Sequence, residues 1–491
     1  MKESARYRQI LRSTSVFGGV QVFSMLVSLV RSKAIALLIG PAGMGIAGLL
    51  NTAISVISNA TSLGLETSAV RQIAQVDPRD RGALAKTVSV LRKIVWITGA
   101  AGALVVAALS PWLSEITFGH GGHTGSFLWI AATLLFRQLS NGQLAVLQGL
   151  QKIKLLARAN LAGNLAGLLI SLPLYYYWGI DAIVPAIVVS SASALLFSWY
   201  FARKVSVDRV RIPARQVFRE GRAMLVLGIL LSLSALAAST VSYIIHLYIS
   251  RTGGLVHAGF YSAGFLLLNT YMGMVFSSMG TDYLPRLAAL GDDFAQIRES
   301  VSRQATVAVL AITPVIVLFV ALCKPIIRIL FAEPFSAIVP MVLFGVAGML
   351  FRAVSWSVGY VMLARGDSPM FIRTAFFFNA LFLALHVAGY RFFGLAGLGA
   401  AFAVHYFLHM VILAVLAKKR YLIYPSRDFL QTFGICAGFC ALAFLLIFTD
   451  GTLRELGFVF LAGASLYYSL RMISEKAGMG FWANRFMRNG K

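Results

Sequence analysis

The sequence predicts an all-α polytopic membrane protein of about 14 transmembrane helices, arranged as two parallel six-helix repeats with two further helices after them. Three observations predict it. Of 491 residues, 58% are hydrophobic and only 12% charged, with a mean hydropathy of +0.79, whereas a soluble domain carries about 25% charged residues. Apolar runs long enough to cross ~30 Å of hydrocarbon recur from end to end. Short phrases also recur at one offset, 214–216 residues, the mark of an internal duplication.

Composition excludes several classes. There is no room for a sizeable soluble domain. The net charge of +25 would suggest nucleic acid in a soluble protein, but the spans exclude such a binder, and retention of positive charge on one side of a membrane explains it better. The three cysteines, Cys323, Cys436 and Cys440, form neither a disulfide framework nor a metal-ligand spacing. No GxxxxGK[ST], HExxH or GxSxG motif is present, so neither catalysis, a cofactor nor a metal is expected.

In chain order, Met1–Arg12 is a basic lead. The apolar stretch after it is too long for a signal-peptide core and carries Arg31 and Lys33, so it reads as the first span, about 14–39. The others are about 45–69, 88–110, 126–149, 159–178, 182–202, 223–249, 257–280, 304–323, 336–364, 370–390, 396–417, 430–449 and 454–472. With both termini placed in the cytoplasm, 34 of the 43 Lys and Arg fall in cytoplasmic segments or the span ends adjoining them. Five lie in outer loops, and Arg31, Lys33, Arg137 and Arg352 are left within spans. A bias that alternates through every loop supports count and orientation together, because one missed span would invert it downstream. The expected organisation is an N-terminal lobe over 1–202, a basic cytoplasmic linker over 203–222 suited to anionic headgroups, a C-terminal lobe over 223–420, and an extra helix pair with a basic tail over 421–491.

The duplication rests on three matches. Gly45-Ile-Ala answers Gly259-Phe-Tyr. Thr61-Ser-Leu-Gly-Leu-Glu66, with Arg71 following, answers Ser277-Ser-Met-Gly-Thr-Asp282, with Arg286 following. Leu135-Phe136-Arg137 with Ser140 answers Leu350-Phe351-Arg352 with Ser355. Six spans per copy is an even number, so both copies enter the membrane in the same direction. A site near the midplane is then expected between them.

Arg137 and Arg352 lie near mid-span. A cation at that depth costs about 2.5–3.5 kcal/mol on insertion scales, so it normally faces a wet cavity or a partner. Asn141 shares the helical face of Arg137, as does Gln148. Polar stripes recur on other spans: Gln21, Ser24, Ser28 and Arg31; Asn51, Ser55, Asn59, Ser62 and Glu66; Asn160, Asn164, Gly167 and Ser171; Ser239, Ser242 and His246; Asn269, Gly273 and Ser277. Any one stripe is accounted for by interhelical hydrogen bonds and small-residue packing; together with the arginines they point to a polar cavity. The candidate substrate-binding residues are therefore Arg31, Lys33, Arg137, Arg352, Asn141, Asn51, Asn59 and Asn269. Lys33 sits off the Arg31 stripe and alternatively snorkels to the outer interface. Guanidinium groups match phosphate in a bidentate fork, which argues for an anionic, phosphate-bearing cargo. Glu66, Asp282 and His246 are candidates for ion coupling, the two acids alternatively pairing with Arg71 and Arg286. His386, His405 and His409 read as satisfied packing residues.

The run RSKAIALLIGPAGMGIAGLLN over 31–51, followed by SLGLETSAVRQIAQ over 62–75, resembles the N-terminal region of bacterial O-antigen and enterobacterial-antigen translocases. These are Wzx-type polysaccharide flippases of the multidrug/oligosaccharidyl-lipid/polysaccharide exporter superfamily. Gly40, Pro41, Gly43, Gly45 and the Arg71 region carry the match, which extends more loosely to about residue 420. The resemblance implies a V-shaped, two-lobed transporter of the inner membrane that serves O-antigen and lipopolysaccharide assembly. It implies movement of undecaprenyl-diphosphate-linked oligosaccharide from the cytoplasmic to the periplasmic leaflet by alternating access. A cationic central cavity would receive the headgroup, and membrane lipids, a polysaccharide polymerase and a chain-length regulator would be partners. Several relatives have 12 spans; 14 is the number in lipid II flippases of the same superfamily. Competing readings are an ion-coupled drug/cation antiporter on the same scaffold, which calls for a buried carboxylate, a lipid II-type flippase, and a non-transporting scaffold for polymerisation, which leaves the arginines without a task.

Overall fold

Backbone amides have no water to bond in hydrocarbon, so a chain this apolar satisfies them within helices. The structure, a computed structural model, describes residues 23–476 apart from 78–79, 120–121, 123, 206, 209, 211–212 and 292. Among the described residues every regular element is helical. The basic lead, the first part of the first predicted span (14–22, with Gln21) and the basic tail from 477 lie outside them, as do the side chains of Ser277 and Asp282.

The helices are α1 (23–38), α2 (Gly40–Ser62), α3 (Leu65–Gln75), α4 (Arg81–Phe118), α5 (Thr124–Gly149), α6 (Ile153–Trp178), α7 (Ile183–Ala202), α8 (Ala214–Leu266), α9 (Met274–Ala288), α10 (Phe294–Ala321), α11 (Cys323–Leu330), α12 (Val339–Ala364), α13 (Ser368–Tyr421), α14 (Arg427–Leu445) and α15 (Gly451–Lys476). Nine helical segments among the described residues are long and apolar enough to cross a membrane. Three of the nine contain a break: at the turn Gly179–Ala182 between α6 and α7, at Gly254 within α8 and at Gly394 within α13. Gly254 and Gly394 take φ of 80° and 57°, backbone that glycine adopts without strain. α5 is not one of the nine. Its 26 residues reach about 39 Å at 1.5 Å per residue, but Arg137, Gln138, Asn141, Gln143 and Gln148 dilute its hydropathy.

Two predicted spans are interrupted. The stretch expected at 45–69 is split where Leu63 and Gly64 turn left-handed, with φ of 50° and 60°. The stretch at 257–280 runs through the end of α8, a π-helical turn at Leu267–Tyr271 and the start of α9.

The chain divides into two compact units, Met1–Gly259 with Leu330–Ala332, and Phe260–Ile329 with Glu333–Lys491. In the first, α5 packs against α4 and α7, and α6 against α7. Ile54, Phe127, Ile130 and Ile183 anchor one core cluster, and Leu65, Leu91, Ile94 and Val146 another. α2 and α8 cross at the repeat-matched glycines. A Cβ on Gly45 would collide with the Leu255 carbonyl, and one on Gly259 with the Pro41 carbonyl. In the second unit α10 is the central helix, packed by α12, α14 and α15, while α12 packs along α13. The helices beyond the repeat thus close over α10.

The most exposed large side chains are apolar: Leu104, Tyr177, Phe392, Phe393, Phe448, Val459 and Phe460 are each at least 70% accessible. On a soluble protein such a surface would be a liability; here it is the face that lipid tails cover.

Candidate functional site

In the first unit, α1 carries Arg31 and α5 carries Arg137, both half-buried. The two guanidinium groups lie within electrostatic reach of each other, and Arg31 within reach of Tyr175 on α6. Among the described residues Arg31 Nε is buried without a hydrogen-bond partner, and neither arginine forms an ion pair. Two like charges so placed repel one another, and an anion would relieve them. Beside Arg137, Gln138 Nε2 donates to Thr98 Oγ1 at 3.1 Å, and Ser140 Oγ to the Ala194 carbonyl at 3.2 Å. These bonds leave the arginine free and pin the helix around it.

Arg352 on α12, in the second unit, is held differently. Its Nη1 donates to Asn269 Oδ1 at 2.9 Å and to the Leu268 carbonyl at 3.5 Å. Both acceptors belong to the π-helical turn, whose wider i→i+5 spacing, seen in Met272 N bonding Leu267 O at 3.2 Å, loosens the local backbone. The faces of Tyr406 and Phe276 lie 5.2 and 5.7 Å from the guanidinium carbon, a favourable place for a cation.

The remaining sequence-predicted residues are spread out. Asn141 and Glu66 line one narrow cleft of about 10 Å³ with Ser62, Gln138 and Gly142, room for about one water. The expected Glu66–Arg71 pair is not formed: Glu66 is exposed and makes no ion pair among the described residues. Arg286 donates to Gln304 Oε1 at 2.9 Å; the side chain of Asp282, its expected partner, lies outside the described residues. Asn59 Nδ2 reaches Ser239 Oγ at 3.1 Å and Asn164 Nδ2 reaches Ser24 Oγ at 3.5 Å, so these stripes do serve interhelical bonding. Asn51 turns back to the Ala47 carbonyl at 2.8 Å, and the buried His246 bonds the Ser242 carbonyl through Nδ1 at 2.9 Å. Lys33 is half-buried on α1. Elsewhere in the first unit, Arg81, Lys152 and Lys204, the last from the basic linker, surround a cavity of about 700 Å³ with Asp208.

The histidines of α13 depart from expectation. His386 is satisfied, its Nδ1 at 2.8 Å from the Phe382 carbonyl. His405 and His409 are not: Nδ1 of each is buried without a hydrogen-bond partner among the described residues. Their i,i+4 spacing on the helix that packs along Arg352 was the signal available in the sequence.

Residues 34–340 match the family described as polysaccharide biosynthesis protein. The chain belongs to that family. No curated protein matches the chain. The family member shares its fold with solved transporters of the MOP superfamily. A multidrug resistance MATE family transporter in an inward-facing conformation aligns with a TM-score of 0.68 at 14% identity, over 83% of this chain and 98% of that one. The lipid II flippase MurJ, inward closed, aligns with a TM-score of 0.69 at 12% identity, over 94% and 99%. A MOP superfamily transporter from Pyrococcus furiosus Vc1, described as having a binding pocket of reverse polarity, aligns at 0.60 and 14% identity, over 84% and 95%. The family member is accordingly a multi-pass membrane protein whose fold is that of these solved transporters.

Proposed function

We propose that this protein is a flippase that carries undecaprenyl-diphosphate-linked oligosaccharide, the repeat unit of O-antigen or a related surface polysaccharide, from the cytoplasmic to the periplasmic leaflet of the bacterial inner membrane by alternating access. One observation carries the reading. Each unit of this polysaccharide biosynthesis family member holds half-buried arginine within a long helix, with no carboxylate paired to it among the described residues. A cationic drug gains nothing from such a site, whereas a diphosphate accepts the guanidinium fork. In this reading Arg31, Arg137 and Arg352 are the residues that serve the diphosphate, while amides such as Asn141 and Asn269 serve the sugar or hold the arginines. Lys33, Asn51 and Asn59 are secondary contacts, and Glu66, Asp282 and His246 are the places to seek a coupling ion. Both termini face the cytoplasm, and a polymerase and a chain-length regulator act on the product.

The test is complementation of a strain deleted for this gene. Arg137→Ala is expected to abolish surface polysaccharide, to insert in the membrane at the wild-type level, and to accumulate lipid-linked intermediate on the cytoplasmic side. Normal polysaccharide with altered resistance to cationic compounds would overturn the reading.

A further inference from the structure

Arg352 sits among groups with unspent hydrogen-bonding capacity. Asn269 gives its oxygen to the guanidinium, and its Nδ2 is buried without a partner. Nδ1 of both His405 and His409 is in the same condition. The two imidazole rings are 5.7 Å apart between centroids, and both lie within electrostatic reach of Arg352. Aromatic rings close the space around them: Phe378 is 3.9 Å from His409, and Phe382 is 4.9 Å from His405. Buried polar atoms of native proteins nearly always have partners. Three orphans gathered around one unpaired cation mark a place built for a ligand that brings negative charge and hydrogen-bond acceptors.

Charge decides what else comes with that ligand. Among the described residues the other titratable groups shown beside the pair are His386 and Tyr406, both on α13. Tyrosines are neutral over the working range, and His386 is engaged with its own helix. Arg352 is therefore the fixed charge that the pair meets among the described residues. A proton added to His405 or His409 stands beside a guanidinium in a poorly solvated site and is repelled by it. An anion on Arg352 cancels that repulsion and replaces it with attraction.

We propose that α12 and α13 form a proton-linked anion site, in which a tetrahedral oxyanion of the phosphate type docks on Arg352 and Asn269 while the His405–His409 pair takes up a proton from solvent, each binding event favouring the other. The inference rests on the flippase reading for the identity of the physiological anion, a phosphate of the lipid-linked headgroup, and otherwise on the second unit alone. Linkage is reciprocal: if the anion draws a proton onto the pair, acidification strengthens anion binding by the same factor. It also gives the transporter a means of taking cargo and proton together, with no carboxylate in the site among the described residues.

Sulfate is the probe, because its own charge does not change between pH 5.5 and 7.5. Its binding to the purified full-length protein is measured calorimetrically at both pH values. Wild type is expected to bind about tenfold more tightly at pH 5.5, the size of a coupling near 1.4 kcal/mol. His405→Gln/His409→Gln keeps amide donors in place of the rings and is expected to bind sulfate with less than about twofold pH dependence. His405→Gln and His409→Gln alone should fall between. Arg352→Gln should lose the pH-dependent component. Equal affinity at both pH values in wild type, or a pH dependence that survives the double substitution, would overturn the proposal, as would sulfate that does not bind at all. These readings on purified protein are separate from the polysaccharide assay: a protein that restores polysaccharide yet shows no linkage sinks this inference and leaves the flippase reading standing.

Discussion

Arg137 and Arg352 occupy the same phrase, Leu-Phe-Arg-x-x-Ser, 215 residues apart, and are held in opposite ways. Arg137 has another arginine as its electrostatic neighbour and no hydrogen bond to its guanidinium among the described residues. Arg352 has an amide, a main-chain carbonyl and two aromatic faces. The difference comes from residues outside the duplicated phrase. Position 31 is arginine, while its repeat partner, 215 residues on, is His246, a ring tied to its own helix. Position 269 is asparagine, and its partner 215 residues earlier is Ile54, a fully buried core residue. Duplication placed a cation in each unit, and divergence of the surroundings left one exposed to repulsion and clamped the other. A charge that is unclamped and repelled gains most when an anion arrives; a clamped one fixes where the anion sits.

The contrast predicts unequal tolerance of lysine, and this is the largest effect expected. Lysine preserves the charge but not the planar fork. At 137 nothing in the described protein surroundings uses the fork, so Arg137→Lys weakens only the contact with the diphosphate and should lower surface polysaccharide less than the same change at 352. At 352 the fork is bonded to Asn269 and Leu268. A hydrogen bond to a charged group contributes about 1.5–3 kcal/mol, so Arg352→Lys should lower transport roughly tenfold or more. Equal losses at matched expression would erase the distinction.

Stability should separate the two sites next. Asn269→Leu removes the amide that satisfies a half-buried guanidinium, at a cost of about 1.5–3 kcal/mol, and should lower the melting temperature in detergent. Arg31→Gln removes one of two repelling charges and should leave the melting temperature unchanged or raise it. Equal drops for both variants would mean that Arg31 is clamped by contacts like those of Arg352.

The helical architecture was legible in composition, because apolar runs of spanning length permit little else, and the repeat was legible in three short matches. The arginines were legible because a charge inside an apolar run is conspicuous. What surrounds them was not. Asn269 lies on a polar stripe of its own span, yet its contact with Arg352 depends on a π-helical turn that no pattern in LLNTY announces. The left-handed pair Leu63–Gly64 divides a stretch whose hydropathy alone reads as continuous. By pattern alone His405 and His409 read as packing residues, because a histidine on an apolar helix usually finds a backbone acceptor, as His386 does. Whether a ring finds one depends on the neighbouring helix, and tertiary contact of that kind has no periodicity of its own.

The smallest expected effect lies away from the arginines and compares how each unit pins its polar ends. In the first unit Lys86 and Glu220 pair at 2.9 Å with both side chains well exposed, an arrangement that contributes little. In the second, Asp367 accepts from Arg420 Nε at 2.6 Å and from the Tyr421 hydroxyl at 2.6 Å, joining the start of α13 to its end. The Arg420 hydrogen bond, followed by that of Tyr421, holds the Asp367 carboxyl below the usual carboxylate range. A carboxyl depressed in the folded state adds stability above its unfolded value of about 3.9, and that contribution is lost as pH falls through the folded value. Asp367→Asn should therefore melt below wild type at pH 7 by less than Asn269→Leu does. The difference should persist down to about pH 4 and shrink below it, where the wild-type carboxyl takes a proton and resembles the amide. Lys86→Gln should leave melting unchanged throughout. A difference for Asp367→Asn that disappears already at pH 6, or a larger effect at Lys86, would show that the ends of α13 are not what fixes the polar edge of the second unit.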